Sequence, residues 1–359
     1  MKKQSLFLLA LIGLAFGACN ETQEVKSITE QSIDMNDFYV YTDDHDNHSH
    51  KTTAKKDDRL CYSMRVLNEK LKQNPGLEKK MFDIELHTRK NILAKKGGNG
   101  GGNGGGGTGG GGGDTPVDDG LGTITIPVYV HVIYSNNQEN ISDAQINSQI
   151  AVLNADFRKN NNDINQVPSE FAGLAADSEI QYTLAGVTRK ASSRTSWGTN
   201  DDMKRASAGG VNPITPSTHL NIWVCEIGGG ILGYAQFPGG SSSTDGVVVG
   251  PQYFGTTGYV AAPFDGGRTL THEVGHYLNL RHIWGDGRCR QDDFVSDTPS
   301  SDGPNYGCPS YPTVNCRSTD MTMNYMDYVN DDCMYMFSEG QKSRMRSIFA
   351  AGGSRESMR

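Results

Sequence analysis

The sequence predicts an α+β fold for a folded domain that spans residues 118–359. Short runs rich in β-branched and aromatic residues predict strands, and longer segments with apolar residues at helical spacing predict helices. After residue 283 the chain is rich in Gly, Asp, Pro and Cys and has little periodicity until a final helix. The sequence contains no internal repeat, so we expect one sheet with its helices and an irregular, cysteine-rich C-terminal part.

The N-terminus has the features of an export signal. Two lysines precede an apolar stretch, residues 6–16, which is too short to span a bilayer comfortably. Two small residues then lead directly into Cys19. This arrangement resembles a bacterial lipoprotein signal at residues 1–18, with cleavage before Cys19 and lipidation of its thiol. The alternative is an ordinary secretory signal in which Cys19 is incidental; both interpretations export the mature chain, where disulfides are permitted.

Residues 58–95 predict two helices, because apolar residues recur at helical spacing and Asn74-Pro75-Gly76 interrupts them. Residues 97–113 are nearly all Gly, which predicts a flexible tether that spans roughly 20–25 Å. The predicted parts of the chain are therefore the signal, 1–18, an N-terminal segment, 19–96, a linker, 97–117, and the folded domain, 118–359.

Five runs in the folded domain predict strands because they combine β-branched, aromatic and other apolar residues. They are TITIPVYVHVIY, SEIQYTLAGV, HLNIWVCEI, GYAQFP and DGVVVG. The segment SDAQINSQIAVLNADF predicts a helix with an apolar stripe, and Ser142 with Gln145 fits a capping box at its start. Ser338 with Gln341 predicts the same cap for the C-terminal helix.

The segment HEVGHYLNLRH, residues 272–282, carries the clearest chemical signal. His272 and His276 are four residues apart and share one face of a helix, a spacing that suits two zinc ligands, and Glu273 is offset to contact water beside the metal. His282 would lie on the wrong face if the helix continued. It returns to the metal only if the chain turns at Asn279 with φ > 0, a conformation that Asn tolerates.

These residues resemble the metzincin pattern HExxHxxGxxH, from which only Asn279 departs. Downstream, MNYMDY resembles the methionine turn, with Met326 as its methionine and Tyr328 two residues later. The motifs HEVGHYLNLRHIWGD, DDFVSDTP, LGYAQFPGG and MNYMDY are similar to those of the pappalysin family, and within it to ulilysin-like bacterial enzymes. The resemblance covers about residues 120–350 and a cysteine in the N-terminal segment.

The resemblance implies a metzincin-like catalytic domain with a twisted mixed β-sheet, an active-site helix, and an irregular disulfide-rich C-terminal subdomain ending in a helix. It implies a zinc endopeptidase whose ligands are His272, His276 and His282. Glu273 would act as general acid and base, and Tyr328 would stabilise the oxyanion. Met326 would form the floor beneath the histidines, and the substrate would lie along an edge strand that contains GYAQF.

Four cysteines cluster in the irregular region, and the sequence alone leaves three connectivities open. The resemblance implies the pairs Cys289–Cys316 and Cys308–Cys333, whereas a second zinc site is the rival interpretation. Cys225 is expected to be a buried strand residue.

The resemblance also implies several roles outside the zinc motif. Cys61 would be a fourth zinc ligand in a latent form, so we call residues 19–96 the pro-segment; the alternative is a free structural thiol. Asp331, or its neighbour Asp332, would favour Arg, and less strongly Lys, just after the scissile bond. Asp293 and the Thr298 carbonyl would bind Ca²⁺, the alternative being ordinary turn residues.

The net charge of −8 and the absence of a basic block argue against nucleic acid as a partner. We expect an exported bacterial lipoprotein, membrane-anchored at the cell surface or in the periplasm until its catalytic domain is released. It would act as a monomer on proteins or peptides. The rival functions are a non-catalytic surface lipoprotein stapled by zinc and an adhesion or binding module; the intact Glu273 argues against the first.

Overall fold

The computed structural model describes residues 33–42, 61–97 and 118–359. The predicted signal, Cys19 and nearly all of the Gly-rich linker lie outside these ranges. Within them, no helix combines the length and the apolar character that crossing a bilayer requires.

The centre of the fold is a five-stranded mixed sheet. Its strands are β1 (Ile124–Tyr134), β2 (Ile180–Ala191), β3 (Leu220–Val224), β4 (Gly233–Ala235) and β5 (Val247–Val249). The spatial order is β2–β1–β3–β5–β4, and each predicted run contributes one strand. The first three pairings in this order are parallel, whereas β4 runs antiparallel to β5. The predicted mixed sheet is therefore confirmed, with the GYAQF segment at its edge.

Helices and aromatic side chains cover the two faces of this sheet. Alternate residues of β3 face opposite sides: Ile222 and Val224 join the large core, and Trp223 joins a smaller one with Tyr234 of β4. Because both faces are covered, β3 is buried along its whole length, which explains why all of its residues except Asn221 are apolar. Cys225 follows directly and is buried, as predicted.

The helices outside the pro-segment are α3 (Asp143–Phe157), the short α4 (Ser169–Ala172), α5 (Arg268–Tyr277) and α6 (Glu339–Ser347). Ser142 caps α3 by accepting from the Gln145 backbone N–H at 3.2 Å. The reciprocal half of that capping box is absent, because the Gln145 side-chain amide instead donates to backbone carbonyls, including that of Phe254 at 2.8 Å. At α6 both halves of the predicted box are present.

The irregular C-terminal part contains the two-stranded ribbon β6 (Val314–Asn315) and β7 (Ser318–Thr319). Two disulfides hold it, Cys289–Cys316 and Cys308–Cys333. The structure thus has the pairing that the family resemblance implies, and these sulfurs do not form a second zinc site.

The pro-segment contributes α1 (Ser63–Gln73) and α2 (Leu77–Gly97), which are separated at the predicted Asn-Pro-Gly break. Apolar residues at helical spacing, including Met64, Leu67 and Leu71, pack with Phe237 next to the edge strand. Helix α2 reaches α6, where Glu85 forms a buried ion pair with Arg344. Both pro-segment helices therefore pack against the folded domain, residues 118–359.

Candidate active site

Helix α5 ends where the third histidine requires it to end. Its last residue is Tyr277, and Asn279 adopts φ 77°. The next backbone N–H, that of Leu280, donates to the Gly275 carbonyl at 2.9 Å, which closes the turn. Asn279 therefore has the left-handed conformation that its place in the motif demanded, although it carries a side chain.

Three imidazoles converge beneath this turn. The Nε2 atom of His276 lies 3.2 Å from that of His272 and 3.1 Å from that of His282. All three rings are buried. Two nitrogens bound to one tetrahedral zinc at 2.0–2.1 Å would be separated by about 3.3 Å, so the spacing suits a shared ion.

The opposite nitrogen of each ring faces a hydrogen-bond acceptor. The Nδ1 partners are the Tyr325 carbonyl at 2.7 Å for His272, the Leu280 carbonyl at 2.8 Å for His276, and an Asp286 carboxylate oxygen for His282. Because a carbonyl can only accept, Nδ1 carries the proton in the neutral ring and Nε2 presents a lone pair. Burial, and then the charge of His282, hold the pKa of His276 well below its usual range, which favours the neutral ring.

Cys61 completes a set of four candidate zinc ligands. Its Sγ and one nitrogen of each histidine all lie within 4.8 Å of one another, and the cysteine is buried. One thiolate and three imidazoles are a donor set that tetrahedral zinc accepts, so these residues fit the ion. Burial, and then the charge of Glu273, raise the pKa of the Cys61 thiol; a zinc ion would oppose both effects.

Glu273 is buried beside the histidines and contacts the pro-segment. Its Oε2 atom accepts from the Ser63 hydroxyl at 2.7 Å and lies 3.5 Å from the Cys61 thiol. The edge strand passes close by at Gly233. A Cβ there would lie 2.9 Å from the Val248 carbonyl oxygen and 3.1 Å from Cγ of Glu273. Glycine thus lets the strand approach the carboxylate.

The pro-segment also pairs with the edge of the sheet. Cys61 forms an isolated parallel bridge with Gly233, and the Tyr62 N–H donates to the Gly233 carbonyl at 3.1 Å. The Ser63 hydroxyl accepts from the Ala235 N–H at 2.7 Å. Because extended peptides bind sheet edges through such backbone groups, the pro-segment lies where a substrate strand would pair.

The predicted methionine turn lies under the histidines. Met326 is buried, and a Cβ on Gly275 would come within 2.4 Å of its Sδ atom. The glycine between the two helical histidines is therefore required by the methionine. The Tyr328 ring packs edge-on against His282 at 4.8 Å, and its hydroxyl donates to the Cys61 carbonyl at 3.1 Å.

Asp331 and Asp332 have different environments. Asp331 is buried, and its Oδ2 atom accepts from the Gly266 N–H at 3.0 Å and the Arg268 N–H at 3.1 Å. It thereby caps the N-terminus of α5. Asp332 is exposed. One oxygen of Asp331 is thus already bound to the start of the helix. The predicted preference for Arg remains a prediction.

Asp293 and Thr298 are neighbours in a buried turn. The Thr298 hydroxyl donates to both carboxylate oxygens of Asp293, at 2.8 and 2.9 Å. Burial, and then the adjacent charge of Asp292, raise the pKa of Asp293 well above its usual range. The predicted calcium role of Asp293 and the Thr298 carbonyl remains a prediction.

Several contributors to the site were missed by sequence reasoning. Ser63 and Gly233 carry no local signal, because their roles depend on chain segments far apart in sequence. Asp286 could have been found, since it lies four residues after His282 and supplies its Nδ1 acceptor. Gly275 lies between the two helical histidines in the motif, but the need for glycine there becomes clear only from its contact with Met326.

Comparisons with known proteins agree with this geometry. A family model described as Peptidase_M43, pregnancy-associated plasma protein-A, matches residues 218–350. An extracellular metalloprotease of Arthroderma gypseum is 34% identical over 244 residues, which cover 64% of this chain and 74% of the relative. Extracellular metalloprotease 1 of Coccidioides posadasii is 33% identical over 237 residues, which cover 63% of this chain and 77% of the relative.

Solved structures match over a larger part of their own length. Mature mirolysin of Tannerella forsythia in complex with a cleaved peptide is 48% identical, with a TM-score of 0.65 over 66% of this chain and 95% of that chain. A point mutant of promirolysin from the same organism is 40% identical, with a TM-score of 0.71 over 84% of this chain and 97% of that chain. The promirolysin match extends over more of this chain than the match to the mature enzyme.

Proposed function

This chain belongs to the pappalysin family, that of pregnancy-associated plasma protein-A, and is a zinc metalloendopeptidase; from this premise we propose that it is an exported zymogen. Its substrates are proteins or peptides. Residues 19–96 would be the pro-segment that keeps residues 118–359 inactive. The observation that carries the proposal is the convergence of three histidine Nε2 atoms and a buried glutamate next to a sheet edge that the pro-segment covers.

His272, His276 and His282 would hold the zinc ion, which would supply Lewis-acid chemistry by lowering the pKa of a bound water and polarising a carbonyl group. Glu273 would take a proton from the attacking water and deliver it to the leaving amine. Its position beside Gly233 supports this role, because a substrate paired with that edge would bring its scissile bond next to the carboxylate.

Tyr328 would stabilise the oxyanion once the pro-segment has left. In the latent form its hydroxyl donates to the backbone carbonyl of Cys61. A scissile carbonyl at the same place would receive the same hydrogen bond, and the donor would strengthen it as negative charge develops on that oxygen.

Latency would result from two side chains of one pro-segment turn. Cys61 would occupy the fourth zinc position, and Ser63 holds the Glu273 carboxylate that must otherwise accept a proton from water. We expect Cys61→Ala and Ser63→Ala each to raise the basal activity of the full chain, because each releases a different catalytic requirement. If the basal activity of both variants equals that of the natural chain, this account of latency is wrong.

The catalytic proposal is tested by Glu273→Ala in the enzyme activated from the full chain. We expect peptide hydrolysis to be lost while one zinc per chain remains bound, because the carboxylate is not among the candidate ligands. Glu170→Ala, on the exposed surface of α4, is the control and should keep both activity and zinc. If the Glu273→Ala enzyme still cleaves peptides, Glu273 is not the general base.

We further propose that Cys19 carries the lipid that anchors the chain, at the cell surface or in the periplasm, and that the catalytic domain acts as a monomer after release. Secretion itself is supported by the extracellular relatives. Radiolabelled palmitate should enter the natural precursor in bacteria and not the Cys19→Ala precursor. Equal labelling of the two precursors would favour the ordinary secretory signal.

We propose in addition that Asp293 and the Thr298 carbonyl hold Ca²⁺. The raised pKa of the buried Asp293 supports this, because a bound cation would offset the unfavourable burial of its charge. Ca²⁺ should raise the thermal unfolding temperature of the natural chain but not of Asp293→Asn. An equal response of both chains to Ca²⁺ and to a chelator would remove this site.

A further inference from the structure

We propose that Asp201 forms a substrate subsite for a basic side chain, in the place that Lys70 of the pro-segment occupies in the latent form. The inference rests on the proposed function and adds a specificity element distinct from Asp331. Its basis is a carboxylate that belongs to the catalytic domain but directs one oxygen at the pro-segment.

Lys70 lies in the last turn of α1 and reaches across to the catalytic domain. Its Nζ atom is 2.6 Å from Oδ2 of Asp201. The Asp201 side chain is only 1% exposed, whereas that of Lys70 is 25% exposed. The pro-segment thus inserts a cation into a buried carboxylate site at the margin of the cleft.

Asp201 is held by its own domain through the other oxygen. Oδ1 accepts from the Tyr234 hydroxyl at 3.1 Å and forms an ion pair with Lys204 at 3.1 Å. The Asp201 backbone has φ 63°, in the left-handed region. When the pro-segment leaves, Oδ1 keeps both partners, and Oδ2 loses the ammonium group of Lys70. The orientation of the carboxylate therefore does not depend on Lys70.

The location of Tyr234 links this carboxylate to the cleft. Tyr234 follows Gly233 in β4, the residue beside Glu273, and its side chain points to the opposite face of the sheet. A substrate that replaces the pro-segment along β4 presents alternate side chains to that face. One of these side chains would enter the space next to Asp201, on the margin of β4 that the pro-segment covers.

Space for such a side chain already exists. A cavity of about 440 Å³ lies between the pro-segment helices and the edge strand. From the catalytic domain its lining includes Asp201, Lys204, Arg205, Tyr234 and Phe237, and Lys70 closes it from the pro-segment. Removal of the pro-segment opens this cavity, leaving a pocket with aromatic side chains, the free Oδ2 face of Asp201, and two cations that already have carboxylate partners, Lys204 with Asp201 and Arg205 with Asp202.

The chemistry of that pocket favours lysine or arginine over neutral or acidic residues. A cationic side chain restores a charge-assisted hydrogen bond to Oδ2, whereas an apolar side chain leaves that oxygen without it. Lys204 already balances the formal charge of Asp201, so we expect a moderate preference of about fivefold for a single basic residue.

The test uses enzyme activated from the full chain and a set of fluorogenic peptides. All of the peptides share the same two residues at the scissile bond, and the second of these is Arg. Lys, Met and Glu are exchanged at each of the other positions on both sides. We expect one position at which the natural enzyme prefers Lys over Met by about fivefold in kcat/KM. Asp201→Asn should bring this ratio near one, and Glu170→Gln, an exposed carboxylate on α4 outside the cavity, should leave the ratio unchanged.

Three results would overturn the inference: no position with such a preference in the natural enzyme, a preference that survives Asp201→Asn, or an equal loss on Lys and Met peptides. The first needs no variant, so the inference remains testable even if Asp201→Asn does not fold. Failure of the proposed function gives a different result, because the natural enzyme would then cleave none of the peptides.

Discussion

Replacing Asn279 with Val tests whether the zinc site depends on backbone conformation at a residue that binds no metal. Asn279 has φ 77°, and its carbonyl accepts from Arg344 Nε at 2.9 Å. A left-handed conformation costs an ordinary residue about 1–2 kcal/mol, and a β-branched residue is among the least tolerant. The variant must bear that cost as long as His282 is held next to the other two histidines.

The same cost predicts two measurable outcomes. If the turn relaxes in the metal-free chain, zinc affinity falls about 5- to 30-fold, which corresponds to 1–2 kcal/mol. If the turn persists without zinc, the full strain appears instead as a fall of about 2–4 °C per kcal/mol in the unfolding temperature. Chelator competition measures the first quantity, and thermal unfolding of the zinc-free chain measures the second.

Asn279→Gly is the matched control. It also loses the side-chain contact from Nδ2 to the Thr88 hydroxyl at 3.5 Å, but glycine adopts the positive φ without strain. We expect it to keep zinc affinity and stability close to those of the natural chain. If Asn279→Val behaves like Asn279→Gly in both measurements, the turn is not what brings His282 to the metal.

Three further predictions follow from buried carboxylates. Glu85→Gln should weaken pro-segment docking by about 3–5 kcal/mol and raise basal activity of the full chain, because it leaves the buried Arg344 without its carboxylate. Burial raises the pKa of Asp327 to about 7, above its value near 4 in an unfolded chain, so the folded state binds this proton more tightly. The free energy of unfolding should therefore decrease by up to about 1.4 kcal/mol per pH unit as the pH rises from about 4 to about 7. Asp331→Asn should reduce cleavage before Arg more than Asp332→Asn does, if Asp331 is the specificity residue.

Each of these predictions has a control. For Glu85, the control is the exposed Glu69, which pairs with Lys72; Glu69→Gln should leave latency unchanged because surface ion pairs contribute little. For Asp327, the comparison is the slope of stability against pH in Asp327→Asn, which should be smaller than in the natural chain; equal slopes would contradict the raised pKa. For the specificity pair, peptides with Leu after the scissile bond separate a lost preference from a general loss of activity.

The strands and the metal motif were predictable because each depends on local patterns. β3 is buried on both faces, so only Asn221 interrupts its apolar run, and β1 is rich in β-branched residues. His272 and His276 need only helical spacing to share a face. Asn279 stands where the metzincin pattern has glycine. That position requires a positive φ, which asparagine adopts more readily than other residues with a side chain, so the turn was predictable despite the substitution.

The remaining features depend on contacts between distant segments, which no local pattern carries. Ser63 is 210 residues from Glu273, and Glu85 is 259 residues from Arg344. Local rules also yield to such contacts: the Gln145 amide could have completed a capping box, but backbone carbonyls more than 100 residues away bind it instead.

The parallel bridge between Cys61 and Gly233 has a consequence for the solubility of the processed enzyme. In the latent form the chain covers its own sheet edge: the Tyr62 N–H donates to the Gly233 carbonyl, and the Ala235 N–H donates to the Ser63 hydroxyl. Uncovered strand edges are templates on which other chains can assemble. Processing therefore creates a catalyst and a self-association hazard in one event, and the brevity of β4, three residues, limits how far such assembly can extend.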